Sequence, residues 1–294
     1  MRAFFLFVLL LIGALVVAAA LTYPAWLLVS TISVEPVHRV MNRLAMLIAL
    51  IGLIILTRRL GLSNRESLGY GLPAARFMAE LLIGWIAGVL LMLPLVAFLL
   101  GLDIRQWRPE IEHHWLSLLL GGIVSGLAVA LIEETFFRGV LFSAVQRTSG
   151  AAAAIVAPSL LYAMLHFLGG RLRVPPEEVG WEHGFLVLAR LFERYAEPLA
   201  FIDSLLALLV LGMLLALIRL RTGAIAACMG LHAAGVCTIA VLRKTTYVDA
   251  SSEHAVWVGS YDGVIGWAAL LWFIAIGAVY WKLTSQRSLP SSSS

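Results

Sequence analysis

Five ionisable residues lie inside apolar stretches of this 294-residue chain. Glu133, Glu134 and Arg138 stand in EETFFRG, His166 in LLYAMLHFLGG and His232 in ACMGLHAAGVC. A charge at the centre of a bilayer costs about 2.5–3.5 kcal/mol on insertion scales, so ionisable residues there are functional candidates. Carboxylates and imidazoles are the groups that most often transfer protons in enzymes. The set therefore predicts an acid–base site, although a polar network that only joins helices would use the same residues.

Helix spacing divides the two glutamates. Glu134 and Arg138 are four residues apart, with the carboxylate on the N-terminal side, which favours an ion pair on one helix face. Glu133 lies about 100° away around the helix and is poorly placed for the same arginine. We therefore expect Glu134 to be neutralised by Arg138, and Glu133 to be the carboxylate that is left for chemistry.

The elements that carry these residues are predicted to be membrane-spanning helices. The chain is 61% hydrophobic and 13% charged, with a mean hydropathy of +0.95, whereas soluble domains carry about 25% charged residues. Apolar stretches of about 20 residues predict spanning helices. We expect an all-α polytopic membrane protein with eight spans, at 3–30, 40–57, 77–101, 116–144, 151–169, 200–220, 223–242 and 263–283. The first apolar run is longer than that of a signal peptide, so we expect an uncleaved span.

The predicted organisation is one membrane-embedded domain over 1–294. It has N-terminal transmembrane helices at 1–114, a catalytic core at 115–245 and a disordered tail at 284–294. The 21 basic residues lie between apolar blocks, which is typical of membrane-flanking residues and argues against a nucleic-acid partner. Within two spans, Gly84-x-x-x-Gly88 and Gly122-x-x-x-Gly126 predict close helix packing. The short loops favour a bacterial inner membrane.

A turn near Ser149 and Gly150 is expected to bring two of the candidates to one depth. Glu133 lies 16 residues before Ser149, and His166 lies 17 residues after it. In an antiparallel hairpin both would be about 24 Å from the turn. His232 is about 15 Å from a second turn near Thr222, so the three residues are candidates for one site.

These residues in this order resemble the CPBP intramembrane proteases, which include the CAAX prenyl endopeptidases of the Rce1 type and the bacterial Abi proteins. The similarity covers about 115–245 and consists of Glu133-Glu134-x-x-x-Arg138, Tyr162-x-x-x-His166 and His232. It implies about eight transmembrane helices around a conical polar cavity. It also implies that the chain hydrolyses a peptide bond in a membrane-anchored protein or peptide.

The resemblance also implies a role for each residue. Glu133 would activate a water molecule with help from His166, and His232 would help to stabilise the oxyanion. Glu134 and Arg138 would hold the site together. These residues could instead supply zinc ligands, namely Glu133, His166 and His232, with one open position. The chain has no HExxH pair on one helix, so we favour chemistry without a metal.

One position departs from the family pattern. Val236 stands four residues after His232, where the family often has asparagine. Valine cannot donate a hydrogen bond, and the loss of one oxyanion donor costs about 10²–10³ in rate. An alternative is therefore a catalytically impaired relative that acts in bacteriocin immunity or as a membrane binding protein. A transporter is a third alternative, but the sequence shows no inverted repeat.

Overall fold

A computed structural model describes residues 1–33, 35–109 and 114–285. The long helices are α1 (Arg2–Ser30), α2 (Val37–Arg59), α4 (Ala74–Gly101), α5 (Trp115–Glu134), α6 (Phe142–Leu165), α8 (Ile202–Thr222), α9 (Ala226–Thr245) and α10 (Trp267–Ser285). A π-helix (Thr135–Leu141) joins α5 to α6, and the short helices are α3 (Arg65–Leu68) and α7 (Glu182–Arg190). Two strands, β1 (Arg105–Trp107) and β2 (Thr246–Val248), form an antiparallel ribbon.

Seven of the described helices are long and apolar enough to cross a membrane, which confirms the all-α polytopic fold. The longest runs for 51 residues, from Trp115 to Leu165. At 1.5 Å per residue it would measure about 76 Å, far more than the hydrocarbon core of about 30 Å. Gly150 breaks it with φ 83° and ψ 176°. The rings of Phe137 and Tyr162, on either side of the break, lie 5.2 Å apart. The chain therefore reverses at the predicted turn, and this helix accounts for two of the eight predicted spans.

The chain folds as two compact units. One consists of residues 1–63 and 164–198, and the other of residues 64–163 together with the described residues from Leu199 onward. In the first unit, α7 packs on α1 and α2, with Val187 fully buried. Gly184 lies so close to the carbonyl of Ala19 that any Cβ there would clash. The helix α7 is nine residues long, and a separate 3₁₀ turn follows at Glu193–Ala196.

In the second unit, α9 is held between α4 and α5. Both predicted glycine motifs line these contacts. A Cβ at Gly84 would clash with the carbonyl of Ala227, and a Cβ at Gly126 would clash with that of Ala233. Because the glycines lack this atom, the backbones approach closely on two faces of α9. The helix that carries His232 is therefore fixed from two sides.

The ribbon connects the segments that follow α4 and α9. Arg105 in β1 is buried, and it donates hydrogen bonds to Thr246 Oγ1 at 2.7 Å and to the carbonyl of Gly263 at 2.8 Å. Burial lowers the pKa of the Arg105 guanidinium below its usual value. The sequence places this arginine between apolar blocks, like a membrane-flanking residue. In the structure it instead holds the ribbon to the segment around Gly263.

Several predicted boundaries differ from the helix ends by a few residues. The fifth span was expected to reach residue 169, but α6 ends at Leu165. The tail was expected to begin at residue 284, but α10 continues through Ser285. The remainder of that predicted tail, 286–294, lies outside the described residues.

Candidate active site

The two glutamates stand at the junction between an α-helix and a π-helix. Glu133 and Glu134 are the last residues of α5, and the π-helix begins at Thr135. The N–H of Phe142 donates to the carbonyl of Phe137, five residues earlier, which is the π-helical pattern. Such turns are rare and occur frequently at functional sites. The sequence predicts a regular helix here, so this feature is new.

Glu134 and Arg138 form the predicted ion pair. Nη1 of Arg138 lies 2.9 Å from Oε1 of Glu134, and their side chains are 2% and 0% exposed. Arg138 also donates from Nη2 to the carbonyl of Gly212 at 3.2 Å. Its guanidinium lies 4.6 Å from the ring centre of Tyr162. A buried ion pair needs such additional contacts, because desolvation of both charges is costly.

His232 joins this pair from α9. Its Nδ1 lies 2.8 Å from Oε1 of Glu134, and its side chain is buried. An ionised carboxylate only accepts hydrogen bonds, so Nδ1–H of His232 is the donor when Glu134 is ionised. The ring of Tyr162 lies edge-on to the imidazole, with centroids 6.0 Å apart. Arg138, Glu134 and His232 thus form one continuous buried chain of polar contacts.

Glu133 faces the other nitrogen of the same histidine. Its Oε2 lies 3.7 Å from Nε2 of His232, and its side chain is 27% exposed. That separation is too long for a hydrogen bond. Oε2 is buried and has no hydrogen-bond partner among the described residues. The predicted ion pair of Glu134 with Arg138 is therefore confirmed, and Glu133 lies outside it. Oε2 of Glu134 is likewise buried without a hydrogen-bond partner among the described residues, so the ion pair is what distinguishes the two glutamates.

Four of the five predicted site residues, Glu133, Glu134, Arg138 and His232, meet in one cluster. The fifth, His166, is half-buried in the turn that directly follows α6, rather than inside a helix. It belongs to the compact unit that contains α1, α2 and α7. The predicted approach of His166 to Glu133 stays a prediction.

Cys237, the residue next to Val236, does not supply a hydrogen-bond donor to this cluster. The sulfur of Cys237 packs against Gly122 of α5. Gly122 precedes Glu133 by 11 residues, about 16 Å along a helix. Cys237 therefore does not replace the donor that is lost at Val236, and His232 is the side chain that the described contacts place beside Glu133.

A zinc site would need three protein ligands around one position. Among the described residues, no group of three histidine, cysteine, aspartate or glutamate side chains is arranged to hold a metal ion. Nδ1 of His232 is already bonded to Glu134, which leaves only Nε2 for another partner. The described contacts therefore bring together two of the three predicted ligands, Glu133 and His232, and the zinc alternative stays a prediction.

One residue of this region, Arg219 of α8, is not distinguished by the sequence. It is buried, and its Nε donates to the backbone carbonyl of Arg138 at 3.1 Å. The sequence RLRT at the end of an apolar stretch predicts two membrane-flanking arginines, and it contains no signal that separates Arg219 from Arg221. Their difference arises from the tertiary fold.

Comparison with curated proteins and with solved structures finds no match for the chain. A family model described as Type II CAAX prenyl endopeptidase Rce1-like matches residues 115–237. The matched segment contains both glutamates, Arg138 and both histidines of the predicted site. Together with the apolar helices, it supports a CAAX-type endopeptidase in an integral, multi-pass membrane protein. The resemblance to the CPBP family of CAAX proteases is therefore confirmed over the segment that carries the site.

Proposed function

We propose that this protein is an intramembrane endopeptidase that hydrolyses a peptide bond of a membrane-associated protein or peptide. The observation that carries the proposal is the geometry of Glu133, whose buried Oε2 has no partner among the described residues and lies 3.7 Å from Nε2 of His232. The family match supports the class of reaction. The long apolar helices around these residues support a substrate that reaches the site from the bilayer.

Glu133 is proposed to act as the general base. It takes a proton from a water molecule, and the oxygen of that water adds to the carbonyl carbon of the scissile peptide bond. The carbonyl oxygen becomes an oxyanion. When this intermediate collapses, the C–N bond breaks and Glu133 returns the proton to the leaving nitrogen. The products are a carboxylic acid and an amine, and His166 is proposed, from the family resemblance, to assist the water.

His232 is proposed to stabilise the oxyanion through Nε2. Because Nδ1–H donates to Glu134, the imidazole offers a second N–H only when it is protonated. Glu134 orients the imidazole through this hydrogen bond. Arg138 in turn fixes Glu134, so the ion pair acts on the reaction through the orientation of His232. This role compensates for Val236, which cannot donate.

The proposal is tested with purified protein in proteoliposomes and a fluorogenic, membrane-anchored peptide ending in a CAAX-type sequence. Glu133→Gln should abolish cleavage, because the amide cannot accept the proton from water. Glu80→Gln is the matched control, since Glu80 also lies in an apolar helix but pairs with Arg76 at 3.2 Å. Cleavage by Glu133→Gln at the rate of the unmodified protein would contradict the proposal. So would a folded, unmodified protein that cleaves no membrane-anchored peptide, an outcome that the impaired-relative alternative predicts.

A further inference from the structure

Arg219 is a buried cation whose hydrogen bonds go to backbone carbonyls. It is 6% exposed in the last turn of α8. Its Nε donates to the carbonyl of Arg138 at 3.1 Å, and its Nη2 donates to the carbonyl of Glu66 at 3.3 Å. Its guanidinium also lies 5.7 Å from the ring centre of Phe142. Among the described residues, no carboxylate forms an ion pair with it. A buried arginine kept without a counter-charge indicates a role in holding those carbonyls.

Residues 64–70, which we call the brace, contact the π-helix along its length. The hydroxyls of Tyr70 and Thr135 are 2.6 Å apart, at the first residue of the π-helix. In its middle, Gly139 lies against the carbonyl of Leu68, where a Cβ would stand only 2.8 Å away. Two residues beyond its end, the hydroxyl of Ser143 donates to the carbonyl of Ser67 at 2.6 Å.

The brace is itself fixed to the turn between α8 and α9. The N–H of Ile225 donates to the carbonyl of Gly69 at 3.1 Å. Gly69 has φ 83°, a left-handed conformation that glycine adopts without strain. Arg219 links the brace to the π-helix, because its two hydrogen bonds end on Glu66 and Arg138. The irregular backbone is therefore held from several directions.

We infer that Arg219 and the brace are positioning elements for the candidate active site. A π-helix is less favourable than an α-helix and persists where the surroundings determine it. Arg219 holds the backbone of Arg138, the side chain of Arg138 holds Glu134, and Glu134 holds Nδ1 of His232. Loss of Arg219 lets this backbone relax and moves Glu133 relative to His232. This inference rests on the proposed function for its kinetic consequence, but its structural consequence can be measured separately.

Arg219→Gln is the test variant, and two measurements are made on it. In the cleavage assay we expect kcat to fall by about 10²-fold, the cost of a displacement of about 1 Å near the reacting atoms. KM should stay unchanged, because Arg219 does not touch the substrate. The second measurement is the NMR signal of the His232 ring in protein with labelled histidines, assigned by comparison with His232→Gln. This signal should shift in Arg219→Gln, although the two residues do not touch.

Arg221→Gln is the matched control. Arg221 lies two residues further along the same helix, with its guanidinium 5.3 Å from the ring centre of Trp281. It should leave kcat, KM and the His232 signal unchanged. Arg219→Lys, which keeps the charge and one donor, should recover part of kcat. If Arg219→Gln does not fold, Tyr70→Phe removes one brace hydrogen bond and should change both measurements in the same direction.

The outcomes separate this inference from the proposed function. An Arg219→Gln protein with unmodified kcat and an unmodified His232 signal would overturn the inference. Equal losses of kcat in the two single variants, Arg219→Gln and Arg221→Gln, would overturn it too. If the unmodified protein cleaves nothing, the proposed function fails, while a shifted His232 signal in Arg219→Gln alone still supports the positioning role.

Discussion

Two ion pairs with the same spacing occupy very different surroundings in this chain. Arg76 and Glu80 lie four residues apart at the start of α4, with Nε and Oε1 3.2 Å apart and side chains that are 69% and 20% exposed. Glu134 and Arg138 are also four residues apart, but their side chains are 0% and 2% exposed. The exposed pair contacts only itself among the contacts found for the described residues, whereas the buried pair also contacts Gly212, Tyr162 and His232. Both pairs have the spacing that favours an ion pair on one helix face, and tertiary packing decides which pair is buried and joined to other residues.

The largest expected effect comes from breaking the buried pair. Arg138→Met should destabilise the protein by about 3–5 kcal/mol, because it leaves the Glu134 carboxylate buried without its partner. Arg76→Met should cost about 0.5 kcal/mol or less, because the pair at the start of α4 is screened by solvent. Unfolding in mixed detergent micelles measures both changes. Equal losses in the two variants would show that burial does not distinguish the pairs.

The next largest effect is expected when His232, which contacts the buried pair, is replaced. His232→Ala should lower kcat by about 10²–10³-fold, the usual cost of removing one donor to an oxyanion. His38→Ala is the control, because Nδ1 of His38 bonds the carbonyl of Leu172, in the compact unit that contains α1, α2 and α7. It should leave kcat unchanged. A His232→Ala protein with unmodified kcat would remove the histidine from the proposed mechanism.

Helix packing gives a smaller expected effect. Gly126→Ala should destabilise the protein by about 1–3 kcal/mol, because its methyl group would clash with the carbonyl of Ala233 in α9. Gly121→Ala, five residues earlier in α5, has nothing within 4 Å of the new atom. It should be neutral or slightly stabilising, since alanine is the better helix former. The same unfolding assay compares them, and a reversed order would contradict the described contact between α5 and α9.

The smallest expected effect concerns metal. The described residues hold no three-ligand cluster, so dialysis of the active protein against a strong chelator should leave cleavage unchanged. The measurement is the rate on the membrane-anchored peptide before and after dialysis. Loss of activity that zinc restores would favour the set Glu133, His166 and His232 as ligands instead. A chelator-insensitive rate agrees with acid–base chemistry by Glu133.

Much of the fold could be predicted from local patterns. The apolar stretches mark the spans, and the i,i+4 spacing predicts the ion pair of Glu134 with Arg138. The turn at Gly150 and the separation of Glu133 from Arg138 are also correct. These features depend on residues that are near each other in the sequence, or on composition over about 20 residues, so one chain suffices to predict them.

The features that could not be predicted depend on distant parts of the chain. The π-helix at Thr135–Leu141 contacts the brace, some 70 residues earlier, and Arg219, some 80 residues later. Nothing in TFFRGVL itself departs from a regular helix pattern. The packing partners of α7 are another example, because this helix packs on α1 and α2. Local periodicity contains no information about such partners.

The π-helix has a consequence for how this segment tolerates changes in length. Its wide turns take up more residues per ångström of axis than an α-helix does. Deleting one residue between Arg138 and Gly150 would let the segment wind regularly between the same ends. The π-helix would then be lost, and with it the present contacts of Arg138 with Arg219 and of Gly139 with Leu68. A three-nucleotide deletion is therefore expected to be more damaging at this site than most single substitutions, so the number of residues in this segment should vary less among related proteins than their identity.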